Sequence, residues 1–467
     1  EEQGKLSLQD DVRKYLPDLP DFGQVITLDH LLSQSSGLHE YPALRELAGL
    51  SPTEILTNQT VLNWVKNQQQ LDFVPGTDFS GTHTGFVLLA EVVQKVTGQS
   101  LADYTKTNIF EPLQMRNTEF KGDVETIISN KANSYQATEN GFKKRLITNA
   151  TVGTSNLYTS AADLARWYLN LDNPTVGSAN LMKKMRSPVR LTNGKTYDSM
   201  SGQLHYNQQF YHLERGEPAY WNYGLTGGYG TNIFTFPEQG ITTFVLGNNN
   251  QYNGWPAMSM AYELIGDAFP EPESVDFGKL NIVQLSEKEL AAHEGYYWDE
   301  KASLARRIFV KNDTLRYGRL GSPRESLLVP LSKNKFQMVV ESDDVIIINF
   351  DKENGQKVMK LTGGESDPFV YHAYEPVTYG NNNLAQFTGR FYSSALNTTY
   401  ELSVKDQQLV ASHFRKNDVA FTPVKKDIFT GSTWYFGGIQ FERDSRQQIT
   451  GFTVNFDGVK GLRFEKI

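Results

Sequence analysis

The chain contains no cysteine, which excludes a disulfide framework, a thiolate zinc site and a cysteine nucleophile together. It also lacks a positive excess: 45 Lys and Arg against 53 Asp and Glu leave a formal net charge of −8. A nucleic-acid groove needs a concentrated basic stripe, so nucleic acid is not an expected partner. No apolar run approaches the roughly 18 residues of a membrane-crossing helix, so no membrane span is expected; the stretch from Thr242 to Leu246 is short and strand-like. The eight histidines include no His-Glu-x-x-His and no compact set with Asp or Glu at zinc spacing. No metal or other cofactor is therefore expected. A Gly-x-Ser-x-Gly elbow is missing too. The glycine-rich run Gly224-x-x-Gly227-Gly228-x-Gly230 precedes a strand instead of joining a strand to a helix, which argues against a dinucleotide site.

What remains is ordinary globular protein. The 467 residues are 39% hydrophobic, 21% charged and 12% aromatic, a composition that folds throughout and, at this length, divides into about two to four domains. The first residues, Glu1-Glu2-Gln3-Gly4-Lys5, read as a processed product or a fragment beginning inside a domain.

From Leu6 to about Ala268 the pattern mixes helices with long irregular connections. Helices are predicted over Pro52 to Gln69 with Ser51 at its start, Gly85 to Thr97 before the stop at Gly98, Ser160 to Leu171, and Pro256 to Phe269. A hairpin is predicted from Asn232–Phe236, a turn at Pro237-Glu238-Gln239-Gly240 and Ile241–Leu246. Beyond Leu285 the texture turns to short β runs broken by Gly, Asn and Asp, and it repeats. Leu290-x-x-His293-x-Gly295-x-Tyr297 matches Leu384-x-x-Phe387-x-Gly389-x-Phe391, and Val310-Lys311 with Leu315 matches Val404-Lys405 with Leu409, at an offset of 94. Pro330, Lys333 and Phe336 match Pro423, Lys426 and Phe429 at 93, and Phe350 and Val358 match Phe441 and Ile449 at 91. Two homologous small domains follow, each of a size and strand density that favours a closed barrel, with Tyr297 and Phe391 equivalent and buried. Such tandem units resemble the lipocalin-like β-barrels that follow some bacterial serine hydrolases.

The first region carries a resemblance of its own, spread over many short pieces. They run from Gly4-Lys5-Leu6-Ser7-Leu8-Gln9-Asp10-Asp11-Val12 and Tyr15-Leu16-Pro17 through Ile26-Thr27-Leu28, His30-Leu31-Leu32 and Ser35-Ser36-Gly37-Leu38. Pro75-Gly76-Thr77-Asp78-Phe79-Ser80, Thr84-Gly85-Phe86-Val87-Leu88-Leu89, Ile109-Phe110-Glu111-Pro112-Leu113 and Leu157-Tyr158-Thr159-Ser160-Ala161-Ala162-Asp163-Leu164-Ala165-Arg166 continue the order, which ends in the hairpin after Gly227-Gly228. Together they resemble the family of penicillin-binding proteins, class C β-lactamases and related esterases and D-amino-acid peptidases. The resemblance implies an α/β (α+β) β-lactamase/transpeptidase-like domain lacking its N-terminal part over residues 1–275. Two small all-β barrel domains, 285–378 and 379–467, follow it. It also implies a bacterial periplasmic or extracellular location and a small-molecule or peptide ligand.

Against that family's chemistry the chain is deficient at three places. The nucleophilic Ser-x-x-Lys would lie before Glu1, and the single Ser-x-x-Lys here, Ser332 to Lys335, falls in the first β repeat, where a solvated turn is expected. Where the family has Tyr-x-Asn or Tyr-Ser-Asn, this chain has Gly81-Thr82-His83, and glycine transfers no proton. Where it has Lys-Thr-Gly or His-x-Gly, this chain has Leu225-Thr226-Gly227-Gly228, and leucine offers neither charge nor proton. The expectation is a degenerate serine hydrolase with no catalytic residues, in which Thr82, His83, Thr226, Gly227 and Gly228 face one another across a retained ligand cleft. One alternative is a truncated hydrolase whose Ser-x-x-Lys lies upstream of Glu1, with His83 a candidate acid or base. Another is an interaction module built on the β repeats. The aromatics Tyr206, Phe210, Tyr211, Tyr220, Trp221 and Tyr223 fit either a cleft lining or a core.

Overall fold

A computed structural model describes residues 1–199, 202–249, 256–266, 281–320, 324–340, 345–363 and 368–467. They form two compact units, Glu1–Tyr41 with Pro52–Glu271 and Pro42–Ser51 with Pro272–Ile467. The expected domain boundary near residue 275 lies outside the described residues. Among those described, no helix is long and apolar enough to cross a membrane.

In the first unit the helices start where hydroxyl side chains satisfy free backbone N–H groups. Ser160 accepts from Asp163 N–H ahead of the helix Ala161–Asp172, and Gly98, at φ +74°, closes the helix Thr84–Thr97 in the left-handed conformation. One expected start is corrected. The helix over Pro52 to Gln69 begins only at Asn58, capped by Thr57, because Leu56 is drawn into backbone pairing with Thr148 and Ala150 at 3.0 and 2.7 Å. Leu31, Val65, Leu88 and Val92 bury their faces in one apolar cluster with Val12, Leu28 and Leu38.

The main sheet is a six-stranded antiparallel meander, with Ile241–Gly247 at one edge, then Tyr229–Phe236, Glu217–Thr226, Phe210–Glu214, Gly202–Leu204 and Asp198–Ser199. The predicted hairpin is present in register, Ile241 opposite Phe236. Trp221, Phe234 and Phe236 pack on Ala257 and Ala261 of the helix Pro256–Ile265. The end of that helix as read from sequence, up to Phe269, lies outside the described residues.

In the second unit, eight antiparallel strands from Gly295–Asp299 to Phe369–Tyr374 close into one barrel, and eight from Gly389–Ser393 to Val459–Lys466 close into another. Closure leaves no unpaired strand edge. The repeat read from sequence is a repeat of side-chain contacts. Tyr297 and Phe391 are each third in their strand and are 1% and 0% exposed. Ring centroids lie 5.8 Å apart for Tyr297–Phe350 and 6.1 Å for Phe391–Phe441, its counterpart. His293–Phe350 at 4.5 Å corresponds to Phe387–Phe441 at 4.7 Å, and Phe336–Phe350 at 5.6 Å to Phe429–Phe441 at 5.5 Å. Ser332 lies in the exposed hairpin turn before Lys335–Met338, and Lys335, the first residue of that strand, donates its N–H to the Ser332 hydroxyl at 3.2 Å.

Candidate functional site

Thr82 and His83 sit on the turn that enters the helix Thr84–Thr97. Thr82 is 2% exposed and its hydroxyl accepts from Thr84 N–H at 3.2 Å, so this side chain is committed to the helix start. His83 is the outward-facing member, with its side chain 53% exposed. Its backbone N–H donates to Glu40 Oε2 at 2.6 Å, its ring Nδ1 is hydrogen-bonded to Glu40 Oε1, and its edge meets the Tyr41 ring at 6.0 Å. Glu40 was not singled out from sequence, because nothing local links it to a histidine 43 positions later.

The partial withdrawal of the His83 ring from water opposes its charging, but the hydrogen bond and the negative charge of Glu40 outweigh that and raise its pKa. The sign follows. Stabilisation from the charged pair is fully present below the unfolded-state value of about 6.5 and is lost as pH rises through the higher folded-state pKa. An NMR titration should therefore place the His83 midpoint above that of an unperturbed imidazole, and Glu40→Gln should move it down. An unchanged midpoint in the variant would show that Glu40 is not the cause.

Gly81, expected from the sequence to stand where the family has a phenol, does not adopt a left-handed conformation. A Cβ there would meet nothing nearer than Gln34 Oε1 at 3.8 Å. The backbone thus does not demand glycine, and room for a side chain remains. Gln34 in turn donates its amide to Gln208 Oε1, and the Gln208 carbonyl accepts from Asn222 Nδ2 at 2.6 Å. Asn222 lies on Glu217–Thr226, the strand that ends in the other motif, and Leu225 follows about 10 Å further along it. Both glutamines have positive φ, +55° and +63°, a strained state for a non-glycine residue that the surrounding hydrogen bonds hold in place. Among the described residues this chain of amides connects the two motifs, and no direct hydrogen bond joins Thr82 or His83 to Thr226, Gly227 or Gly228.

Gly227 and Gly228 are the two turn residues between Glu217–Thr226 and Tyr229–Phe236, and both have positive φ, +56° and +91°, as a tight hairpin with the strands' natural twist requires. A Cβ on Gly227 would come within 2.9 Å of Ile147, and one on Gly228 within 2.8 Å of the Tyr135 carbonyl. Thr226 is exposed and makes no side-chain hydrogen bond among the described residues, while Leu225 and Tyr223 are 56% and 54% exposed on alternate positions of one face. The aromatic run divides. Phe210 and Trp221 stack at 5.1 Å in the core, and Tyr223 stacks on Trp221 at 5.8 Å from the exposed side.

Beside the glycine turn lies a recess of about 200 Å³ lined by Ile147, Tyr158 and Tyr229 together with Lys121, Lys131, Lys144 and Arg145. Burial and then the neighbouring Lys121 and Lys144 lower the Lys131 pKa, the mark of a cluster of like charges. Asp123 is the one carboxylate in the lining, and its oxygens are taken up by the backbone of Glu125 and Thr126 and by the Thr126 hydroxyl. The sequence showed these cations only as scattered residues with no common face. Among the described residues, no group of three or more His, Asp or Glu is placed to hold a metal ion.

Residues 1–264 match the Beta-lactamase family model, and the chain belongs to that family. It is 28% identical over 165 residues to a D-aminopeptidase of Brucella ovis, a match covering 35% of this chain and 32% of that protein. It is 28% identical over 292 residues to penicillin-binding protein 4* of Bacillus subtilis, covering 58% of this chain and 62% of the relative. The chain thus spans only about a third of the first relative and about three fifths of the second. Among solved structures it resembles the octameric penicillin-binding protein homologue from Pyrococcus abyssi, with a TM-score of 0.51 and 22% identity over 79% of this chain and 83% of that one, a likeness of fold.

Proposed function

We propose that this chain holds a small-molecule or peptide ligand at its β-lactamase-type domain without hydrolysing it. The carrying observation is the pair Gly81 and Leu225, which occupy the family's two proton-handling positions inside the chain with no group able to move a proton. The surroundings support a binding role. The space at Gly81 is kept, Leu225 and Tyr223 offer apolar surface, Thr226 keeps an unengaged hydroxyl, and the basic recess beside Gly227 favours an anionic end of the ligand. In this reading Thr82 shapes the turn, His83 meets the ligand, and Thr226, Gly227 and Gly228 form the opposite wall, the amide chain through Gln34 and Gln208 holding the two sides at cleft width. The domain division 1–275, 285–378 and 379–467 and a periplasmic or extracellular location belong to the same proposal.

A second reading rests on the His83–Glu40 pair. An exposed imidazole held by a carboxylate is a competent acid or base, and in a hydrolase whose Ser-x-x-Lys is supplied from before Glu1 it would replace the missing phenol. The test is covalent labelling. Residues 1–467 incubated with a fluorophosphonate or a penicillin are expected to show no mass increase by intact mass spectrometry and no hydrolysis of generic esters or β-lactams. A stoichiometric acyl adduct would overturn the binding reading. An adduct that forms only when the natural upstream sequence is included, and that His83→Ala slows, would establish the second.

A further inference from the structure

We propose that the groove between the two barrels binds a neutral oligosaccharide, independently of what the β-lactamase-type domain holds. The groove has a volume of about 950 Å³, within the range of ligand clefts. On one side it is bounded by Tyr296 and Tyr374, which are register partners on the strands that close the first barrel. On the other it is bounded by the run Asn381, Asn382 and Asn383 and by Gln408 of the second barrel. In a chain with 21% charged residues, none of the described residues lining it is charged. That excludes an ionic ligand as the one it is built for, since an ion entering it would be desolvated without a counter-charge.

Two kinds of surface remain, and a sugar uses both. Pyranose rings present a face of C–H groups that packs on aromatic rings, and a rim of hydroxyls that both donate and accept. Tyr296 and Tyr374 supply half-buried rings 5.9 Å apart and tilted by 56°. The side-chain amides of Asn381, Asn382, Asn383 and Gln408 are exposed, and none makes a hydrogen bond to the described protein. Each therefore has two donors and an acceptor to offer. The Tyr374 hydroxyl, shielded from solvent, has no partner either, and a sugar hydroxyl or a water bound with it would supply one. Two cations lie over the tyrosine rings, Arg307 at 5.9 Å from Tyr296 and Lys425 at 5.8 Å from Tyr374, and Lys425 is already paired with Glu300 Oε1 at 2.5 Å.

The experiment is calorimetric titration of the whole chain with chitotriose, cellotriose and maltotriose up to about 10 mM, a range that covers weak saccharide binding. At least one is expected to bind saturably. Its affinity should stay within about twofold between roughly 50 and 500 mM NaCl, because no charges are engaged. The double variant Asn382→Ala/Gln408→Ala removes only exposed amides and should leave the melting temperature unchanged while weakening binding by about tenfold or more. Tyr296→Ala should weaken it comparably. Absence of saturable binding to all three sugars would overturn the proposal. So would an affinity that collapses with salt, an undiminished affinity in the double variant, or saturable binding of an uncharged tripeptide in their place. None of these results bears on the covalent labelling of the other domain, so the two proposals fail separately.

Discussion

Phe391→Ala is expected to destabilise the second barrel by about 3–5 kcal/mol, the range for deleting a fully buried aromatic ring that its neighbours cannot collapse to replace. Phe391 is 0% exposed, and its ring meets Phe441 at 6.1 Å and Phe452 at 5.2 Å. It also stands on the first strand at the closure seam, paired in register with Lys466 of the last. The loss therefore falls on packing and on the hydrogen bonds that close the barrel together. Urea unfolding followed by near-ultraviolet circular dichroism should show an early transition in the variant. Phe414→Ala, which removes a ring 81% exposed, should stay within about 0.5 kcal/mol of the parent. A loss under about 1 kcal/mol for Phe391→Ala would mean that the barrel core is looser than its ring geometry implies.

Asp163→Ala is expected to cost the first unit about 1–3 kcal/mol, chiefly from the buried Thr118 hydroxyl that it deprives of an acceptor. The Asp163 side chain is 1% exposed, and its carboxylate accepts from Asn117 N–H at 2.7 Å, the Thr118 hydroxyl at 2.9 Å and Arg166 at 2.9 Å. It ties the helix Ala161–Asp172 to a segment some 45 positions earlier. Arg166 can turn to solvent when the carboxylate is gone, because its side chain is 45% exposed, and Asn117 is exposed as well, but the Thr118 hydroxyl is buried and keeps only the Thr159 hydroxyl at 2.8 Å. Asp163→Asn keeps one acceptor oxygen and should recover part of the loss. Equal urea midpoints for the alanine variant and the parent would show that water replaces the carboxylate.

Much of the fold was legible because its determinants are local. Ser160 before an apolar face and Gly98 after one mark helix ends within a single turn, and the repeat offsets of 94 and 93 survive because each barrel uses the same strand order to bury the same rings. The start at Thr57 was misplaced because the signal at Ser51 is local too, whereas the pairing of Leu56 with Thr148 and Ala150 that overrides it is not.

By itself the sequence determined the family and the two closed barrels, since each of these depends on which residue occupies a position within a recognisable local pattern. Only the tertiary structure decided which distant side chains meet. Glu40 reaches His83 across 43 residues, Gln34 meets Gln208 across 174, four scattered cations line one recess with Ile147 and Tyr229, and an uncharged groove opens between two barrels. Side-chain contacts of that separation carry no periodic signature, because their partners are chosen by how whole elements pack and not by the spacing of residues along either one.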